Sequence, residues 1–320
     1  MVTGSPPSAG SGPDDDRRRI DERANIPVSF PQRPPAALAS VLGLRQDNSV
    51  SVDTSRALLL TTLGEFVLPH GGRAWTQTLV GLLELLDVRD KAVRQAVARM
   101  HRRGWLDREK IGRQTRWSLT AESRGLLEPG ARRIYAFGQD QRLWNHSWVV
   151  VLASVPERDR HLRYRLATGL NWAGFGSIGQ GIWLSPWHDR ERDAVELFNT
   201  LGIDATTFRA ELGELGDPRR LADQAWDISG LREQYDSFLR DTDPIVDWSL
   251  RGDEAAAALT TIVHRWRRFP FIDPDLPGDL LPDDWPGPRA ARRFADLRDA
   301  LRPEAFGWWA DTERALAPNT

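Results

Sequence analysis

The sequence contains no cysteine among its 320 residues. Disulfides, thiolate nucleophiles, iron–sulfur clusters and cysteine-based zinc sites are therefore excluded, and any chemistry would have to use histidine, serine or carboxylates. Lysine is nearly absent too, since only Lys91 and Lys110 occur among the 43 basic residues. Because arginine supplies almost every positive charge, a single arginine says little about function, and only the clustering of charge is informative.

Long apolar runs are also missing from the sequence. No stretch reaches the roughly 20 apolar residues that a membrane-spanning helix needs, and the N-terminus lacks the apolar core of a signal peptide. We therefore expect a cytoplasmic protein that does not associate with a membrane. The length of 320 residues is sufficient for two or three domains with a sizeable core.

Motifs typical of enzymes are lacking in the same way. The six histidines show no HExxH or other metal-ligand spacing, and there is no G-x-S-x-G nucleophile elbow. The segment GFGSIG at residues 174–179 matches a dinucleotide-binding pattern. That pattern must follow a strand and open a helix, whereas here a predicted helix precedes it and a strand follows. We expect neither an enzyme nor a resident cofactor or metal.

Positive charge is concentrated between residues 89 and 116, where ten arginines and lysines face three acids in a chain of formal net charge −2. At 100° per residue, the helix predicted over 89–103 has a basic and an apolar face. The basic face contains Lys91, Arg94, Gln95, Ala98, Arg99 and Arg102, and the apolar face contains Val93, Ala96, Val97 and Met100. Arg94, Gln95 and Arg99 are long enough to reach base edges. A solvated surface helix is the alternative interpretation.

The segments on either side of this basic helix favour a DNA-binding fold. Amphipathic helices are predicted upstream over 54–67 and 76–86, and short strands downstream over 105–110 and 115–119. Three helices and a basic hairpin form a winged helix-turn-helix, whose third helix enters the major groove. The hairpin tip, with Arg113 and Arg116, would reach the DNA backbone or the adjacent minor groove. A small helical domain that binds protein is the alternative.

We predict an α+β multidomain protein. Residues 1–50 are proline-rich and are expected to be a disordered extension, and residues 51–137 form the winged helix-turn-helix with a linker helix over 121–137. Residues 138–216 alternate strands (148–155, 176–185, 205–212) with helices (157–170, 189–201), which predicts a central ferredoxin-like domain. Residues 217–320 form a helical C-terminal domain with a proline-rich strap before a last helix over 289 to about 301.

Several segments, taken in order, resemble the PaaX family, the repressors of phenylacetic acid degradation. They are SRALLLTTLGEFVLPHGG, KAVRQAVARMHRRGWL, IGRQTRWSLT, RIYAF, WAGFGSIGQGIWLSP, AWDISGLREQYDSFL and HRWRRFPFIDPDLPGDLLPDDWPG. The resemblance implies a dimeric transcription factor with an N-terminal winged helix, a central Cas2-like domain and a helical C-terminal region. It also implies, for the founding members, release from DNA by phenylacetyl-coenzyme A. It does not imply nuclease activity, because the first central strand, WVVVLASV, has no acidic residue to hold a metal.

The resemblance predicts a repressor of an aromatic-acid catabolic operon. Its dimer would place two helices in successive major grooves of a pseudo-palindromic operator in double-stranded DNA. An acyl-coenzyme A effector needs cations for its phosphates and an apolar slot for its acyl group. The candidates are Arg163, Arg165, Trp183, Arg265, Trp266, Arg267, Arg268 and Trp285. For each of them, an interdomain salt bridge or core packing is the alternative. For the whole chain, the alternative is a nucleic-acid-associated protein-interaction module without a small-molecule effector.

Overall fold

The computed structural model describes residues 52–139, 142–156, 158–179, 181–246 and 250–318. The expected disordered extension at residues 1–50 lies outside these ranges. The described chain combines helices with two antiparallel sheets, one of three strands and one of four. Within the described ranges, no helix has both the length and the apolar character that crossing a bilayer requires.

The first part of the described chain contains three helices and a small sheet. Its elements are helix α1 (Val52–Thr62) with a π-helical turn (Leu63–Val67), strand β1 (Arg73–Trp75), helices α2 (Thr76–Glu84) and α3 (Asp90–Arg102), and strands β2 (Leu106–Ile111) and β3 (Gln114–Leu119). The predicted helices and hairpin are therefore present, with ends that differ by a few residues. The strand order is β1-β3-β2, and β1 is an addition that the sequence did not suggest.

The central part has the strand and helix order β-α-β-β-α-β. After the linker helix α4 (Ala121–Ala136) come β4 (Ser147–Ala153), α5 (Arg160–Trp172), β5 (Gly176–Gly179), β6 (Ile182–Ser185), α6 (Glu191–Leu201) and β7 (Ala205–Glu211). The sheet order β5-β6-β4-β7, with antiparallel neighbours, is the ferredoxin-like topology. Val149 and Val151 point from β4 into a core with Leu166 and Leu170 of α5 and with Phe198 of α6.

The prediction of one strand over residues 176–185 is wrong, because the structure has the two strands β5 and β6 there. The chain turns at Gly181, whose φ of +77° lies in the left-handed region. A Cβ at this position would lie 2.2 Å from the carbonyl oxygen of Ala153, so only glycine allows this close approach. A glycine-rich run without apolar alternation gives no sequence signal for the position of such a turn.

The last part of the described chain is helical, as expected. Its helices are α7 (Pro218–Ala225), α8 (Ile228–Thr242), α9 (Gly252–Trp266), the short α10 (Phe269–Ile272) and α11 (Gly287–Leu316). The prediction that the last helix stops near residue 301 is wrong, because α11 continues through Pro303 for fifteen further residues. Proline disfavours a helix interior, but Ala305, Trp309 and Leu316 beyond it are buried, and their burial compensates for the lost hydrogen bond.

The largest hydrophobic cluster joins the first helices to the C-terminal ones. It includes Leu59 of α1 and Val97 of α3 together with Leu259 of α9 and Trp309 of α11. The ring of Phe66, in the π-helical turn, lies 5.2 Å from the ring of Trp309. Helices α9 and α11 therefore pack in one hydrophobic core with α1, α2 and α3.

A buried carboxylate lies at this junction. Glu65 is only 2% exposed and accepts a hydrogen bond from the hydroxyl of Tyr135 in α4. Its Oε1 is 3.2 Å from Nη2 of Arg298 and 3.7 Å from Nε of Arg302, both in α11. Burial and the neighbouring Glu65 raise the pKa of Tyr135 above its ordinary value, so this phenol stays protonated. Three segments far apart in sequence are thus held together at one side chain.

Candidate nucleic-acid interface

Helix α3 separates its two faces as its sequence predicts. Val93, Ala96, Val97 and Met100 are buried and belong to the main hydrophobic cluster. On the other side Lys91, Arg94, Gln95, Ala98 and Arg102 are exposed, and Arg99 is half-buried. The burial of small and medium apolar side chains fixes the orientation of the helix, so the basic face is held towards solvent. The structure brings all six predicted residues of this face together.

The hairpin is attached to the helices through a pair of hydrogen bonds. Thr76, at the start of α2, donates from Oγ1 to the carbonyl oxygen of Thr115 at 3.0 Å. The indole Nε1 of Trp117 donates to the same Oγ1 at 2.8 Å. The ring of Trp117 also lies 5.6 Å from the ring of His101 in α3. These contacts fix the position of β2 and β3 relative to the basic helix.

Arg113 and Arg116 occupy different positions on this hairpin. Arg113 follows Gly112 in the turn and is exposed. Arg116 is half-buried, with its guanidinium 3.0 Å from Oε2 of Glu109 and 5.2 Å from the centre of the Trp75 ring. Arg113 is therefore at the tip, where DNA can be reached, while Arg116 must leave Glu109 to contact a phosphate.

Two basic residues of the hairpin were missed by the sequence interpretation. Arg108 and Lys110 alternate along β2 and are both exposed. Arg108 is paired across the hairpin with Trp117, and its guanidinium lies 6.0 Å from the centre of that ring. Residues directly opposite in an antiparallel pair share a face, so Arg108 and Lys110 share the face that packs towards α3. The two-residue spacing of these cations in a predicted strand was the available signal.

The aromatic residues predicted for the effector site lie mainly in cores. Trp266 is fully buried and donates from Nε1 to the carbonyl oxygen of Ile134 at 3.0 Å. Trp183 is buried in the core of the central sheet. Trp285 is half-buried, with the guanidinium of Arg232 5.9 Å from its ring centre. The structure does not bring these three rings together.

The predicted effector cations are also distributed over separate places. Arg163 and Arg165 lie on α5, where Arg165 lines an open cavity between α5 and α6. Arg267 is half-buried at the end of α9. Arg265 and Arg268 line one cavity of about 300 Å³ at the junction of α8, α9 and α10. Two of the eight predicted effector residues, Arg265 and Arg268, therefore share this cavity. Among the described residues, no group of three or more His, Asp or Glu side chains is arranged to hold a metal.

His264 lies in the wall of the same cavity and should make stability depend on pH. Burial, and then the charges of Arg267, Arg268 and Arg265, lower its pKa from 6.5 to about 4. Between these values, the unfolded chain binds a proton that the folded chain excludes, so stability decreases as the pH falls through this window. The loss is at most about 1.4 kcal/mol per pH unit. We expect the variant His264→Gln to lose less stability than wild type between about pH 7 and about pH 5.

Urea unfolding of both proteins at the two pH values measures this difference. Burial raises the pKa of Asp273 to about 6, which acts in the opposite direction, but it does so in wild type and variant alike. His161, which is exposed on α5, provides the control, since His161→Gln should keep the wild-type slope. An equal dependence of stability on pH in wild type and His264→Gln would contradict a lowered pKa of His264.

Three family models match the chain in succession. The model of the PaaX-like protein matches residues 54–123, that of the PaaX protein central Cas2-like domain matches 141–222, and that of the PaaX-like protein C-terminal domain matches 226–311. Together the three models span all three parts of the described fold. The first contains α3 and the hairpin, and the third contains α8 and α9.

Similar proteins are found by sequence and by structure. The chain is 26% identical over 275 residues to the transcriptional repressor PaaX of Escherichia coli (strain K12), an alignment that covers 82% of this chain and 84% of that protein. Among solved structures, it is similar to the uncharacterized protein Rv0674 from Mycobacterium tuberculosis, with a TM-score of 0.55 and 24% identity. This match covers 81% of this chain and 99% of the other, and it shows a shared fold.

Proposed function

Because the chain belongs to the PaaX family, whose members are transcriptional regulators and not enzymes, we propose that it is a DNA-binding repressor. The observation that supports this most is the exposed basic face of α3 above its buried apolar face. A basic hairpin fixed beside the same helix adds to it. Exposed cations on two adjacent elements can contact the phosphates and bases of duplex DNA.

We assign α1, α2, α3 and the β2–β3 hairpin to a winged helix-turn-helix within residues 51–137. In such a fold α3 enters the major groove, and the exposed Ala98 allows its backbone to approach the groove floor. Arg94, Gln95 and Arg99 then contact base edges, while the remaining cations contact the sugar-phosphate backbone. Those backbone contacts come from Lys91, Arg102, Arg113 and Arg116. The central domain takes residues 138–216 and the helical domain residues 217–320.

We further propose that the repressor is a cytoplasmic homodimer on a pseudo-palindromic operator of an aromatic-acid catabolic operon. Two copies related by a two-fold axis place two α3 helices one helical turn of DNA apart. The effector in this proposal is an aryl-acyl-coenzyme A such as phenylacetyl-coenzyme A, as the resemblance to the founding members of the family implies. Such a ligand releases DNA only if it binds the conformation that does not bind the operator more tightly.

A mobility shift with DNA from upstream of the protein's own gene tests this proposal. We expect a specific complex that contains two chains per operator, as measured by light scattering. Phenylacetyl-coenzyme A should release the protein from the DNA. The four backbone cations give about eight phosphate contacts per dimer, so affinity should fall by about a thousandfold or more between about 50 and about 200 mM salt. A specific shift that the ligand does not change rejects the effector and keeps the repressor. Absence of any specific shift favours the protein-interaction module.

A further inference from the structure

The cavity at Arg265 and Arg268 combines an aromatic wall with positive charge. Helix α8 contributes Phe238, and Phe269 follows α9; both side chains are at most 4% exposed, and their rings meet edge to face at 5.9 Å. Arg268 is exposed, and no hydrogen bond or ion pair to its side chain is found among the described residues. A ligand that fits here has an apolar, ring-sized group for the wall and a negative charge for Arg268.

The volume of the cavity limits which part of an acyl-coenzyme A it can hold. About 300 Å³ is at the lower end of the range for small-molecule sites. An aryl-acyl group fits this space, whereas the nucleotide and its phosphates must remain outside. Arg268 lies at the exposed side, where phosphates would pass. Arg265 is tied to α8 through an ion pair with Asp241, which also accepts a hydrogen bond from Ser237 at 3.1 Å. This pair connects α8 and α9 across the cavity.

His264 connects this cavity to the helices of the DNA-binding part. Its Nδ1 lies 3.0 Å from Oγ1 of Thr61 in α1, 203 positions earlier in the chain. Because the Thr61 hydroxyl donates its proton to the carbonyl oxygen of Ala57, the imidazole Nδ1–H must be the donor in this contact. The other ring nitrogen, Nε2, is then an acceptor. A ligand in the cavity can therefore contact the imidazole while Nδ1–H keeps its hydrogen bond to Thr61 of α1.

Helix α1 in turn supports α3. Thr61 is buried, and its neighbours Leu59 and Leu63 lie in one cluster with Val93 and Val97 on the apolar face of α3. A packed core transmits a displacement instead of absorbing it, because it has no free volume. A shift of α1 at Thr61 thus changes the position of the basic face of α3.

We propose that this cavity binds the aryl-acyl end of the effector and that the His264–Thr61 hydrogen bond transmits its occupancy to α3. The proposal rests on the proposed function, of which it names the ligand site and the coupling. His264 and Thr61 are positioning residues in this scheme. Arg268 and the aromatic wall contact the ligand.

The binding site is tested with Arg268→Glu and calorimetry with phenylacetyl-coenzyme A on the full-length protein. We expect ligand binding to weaken by about tenfold or more, the effect of losing one charge-assisted hydrogen bond and adding a repulsive charge. Operator binding without ligand should be unchanged. Arg240, which is exposed on α8 and does not line the cavity, supplies the matched control, and Arg240→Glu should bind the ligand as wild type does.

The coupling is tested with Thr61→Val, which keeps the shape of the side chain and removes the hydroxyl. This variant should bind both operator and phenylacetyl-coenzyme A within about twofold of wild type, but the ligand should no longer release the DNA. Thr61→Ser restores the hydroxyl and should restore release. If circular dichroism shows that Thr61→Val is unfolded, His264→Leu replaces it, since leucine cannot donate to the Thr61 hydroxyl and leaves α1 unchanged. Because His264 lines the cavity, release of DNA by this variant is measured at saturating ligand.

The possible results separate this proposal from the proposed function. Wild-type ligand binding by Arg268→Glu overturns the site. Ligand-induced release of DNA by Thr61→Val as in wild type, or by the His264→Leu that replaces it, overturns the coupling. In both cases a responding wild type leaves the repressor and its effector intact. A wild type that binds operator but not phenylacetyl-coenzyme A overturns the effector and the cavity proposal together. A wild type that binds no operator overturns the proposed function itself.

Discussion

Replacement of Arg94 by glutamate is expected to abolish specific operator binding, with a loss of affinity of about a hundredfold or more. Arg94 projects from the middle of the exposed face of α3, and 51% of its side chain is accessible. The substitution removes a base contact worth about 1–3 kcal/mol and places a negative charge against the DNA backbone. A mobility shift at fixed salt measures the loss. The fold should be unaffected, because the side chain is exposed.

The contact of Arg94 with Asp90 allows a sharper form of this experiment. In the free protein these two side chains form an ion pair one helical turn apart. If Arg94 served only as the partner of Asp90, Asp90→Asn would weaken DNA binding as much as Arg94→Glu. If Arg94 contacts DNA, Asp90→Asn frees its guanidinium and keeps or tightens the complex. Arg192, exposed on α6 of the central domain, provides the charge-matched control. A normal shift by Arg94→Glu would show that α3 is not the DNA-binding helix.

Replacement of Glu65 by glutamine is expected to lower the free energy of unfolding by about 3 kcal/mol. The carboxylate is buried, and its partner Arg298 is only 16% exposed. Arg298 also lies over the ring of Tyr135 at 3.9 Å, so it cannot turn to solvent without losing that contact. Removing one member of a buried ion pair leaves an uncompensated charge, which typically costs about 3–5 kcal/mol. Partial exposure of Arg302 places the expected value at the lower end.

Urea unfolding followed by circular dichroism measures this loss, with a matched control on α11, the helix that contains Arg298. Asp311 forms an ion pair with Arg314 on α11, and both side chains are about three-quarters exposed. Removing that pair with Asp311→Asn should change stability by less than about 1 kcal/mol. Similar losses for Glu65→Gln and Asp311→Asn would mean that the junction of α1, α4 and α11 does not depend on this carboxylate.

The basic helix was the feature most fully predictable from sequence. Apolar residues at Val93, Val97 and Met100 recur with the helical period, and each is buried in the structure. This succeeds because the period of a helix is a local property, which a window of about a dozen residues contains. The ion pairs that Arg94 and Arg116 make in the free protein could not be predicted with the same ease. Asp90 and Glu109 are close in sequence, but charge spacing alone does not tell which of several partners is used.

The predictions that were wrong concern places where tertiary contacts override local preference. Gly181 turns the chain between β5 and β6 because it can approach the carbonyl oxygen of Ala153 closely. Helix α11 passes through Pro303 because Trp309 beyond it is buried in the main cluster. Neither cause is visible in the residues around the glycine or the proline. Ala153 is distant along the chain from Gly181, and Phe66, which packs against Trp309, is distant from Pro303.

Apart from the C-terminal end of α11, the sequence by itself determined the long helices, the basic face of α3, the hairpin and the strands β4 and β7. It did so because periodicity and charge clustering are properties of neighbouring residues. Only the tertiary structure decided that α9 and α11 pack under the first helices. The Thr61–His264 and Glu65–Arg298 contacts join residues 203 and 233 positions apart. Partners at such separations are selected by packing in three dimensions, which no local pattern encodes. The same packing separated the predicted effector residues, placing Trp266 and Trp183 in cores and Arg265 and Arg268 at one cavity.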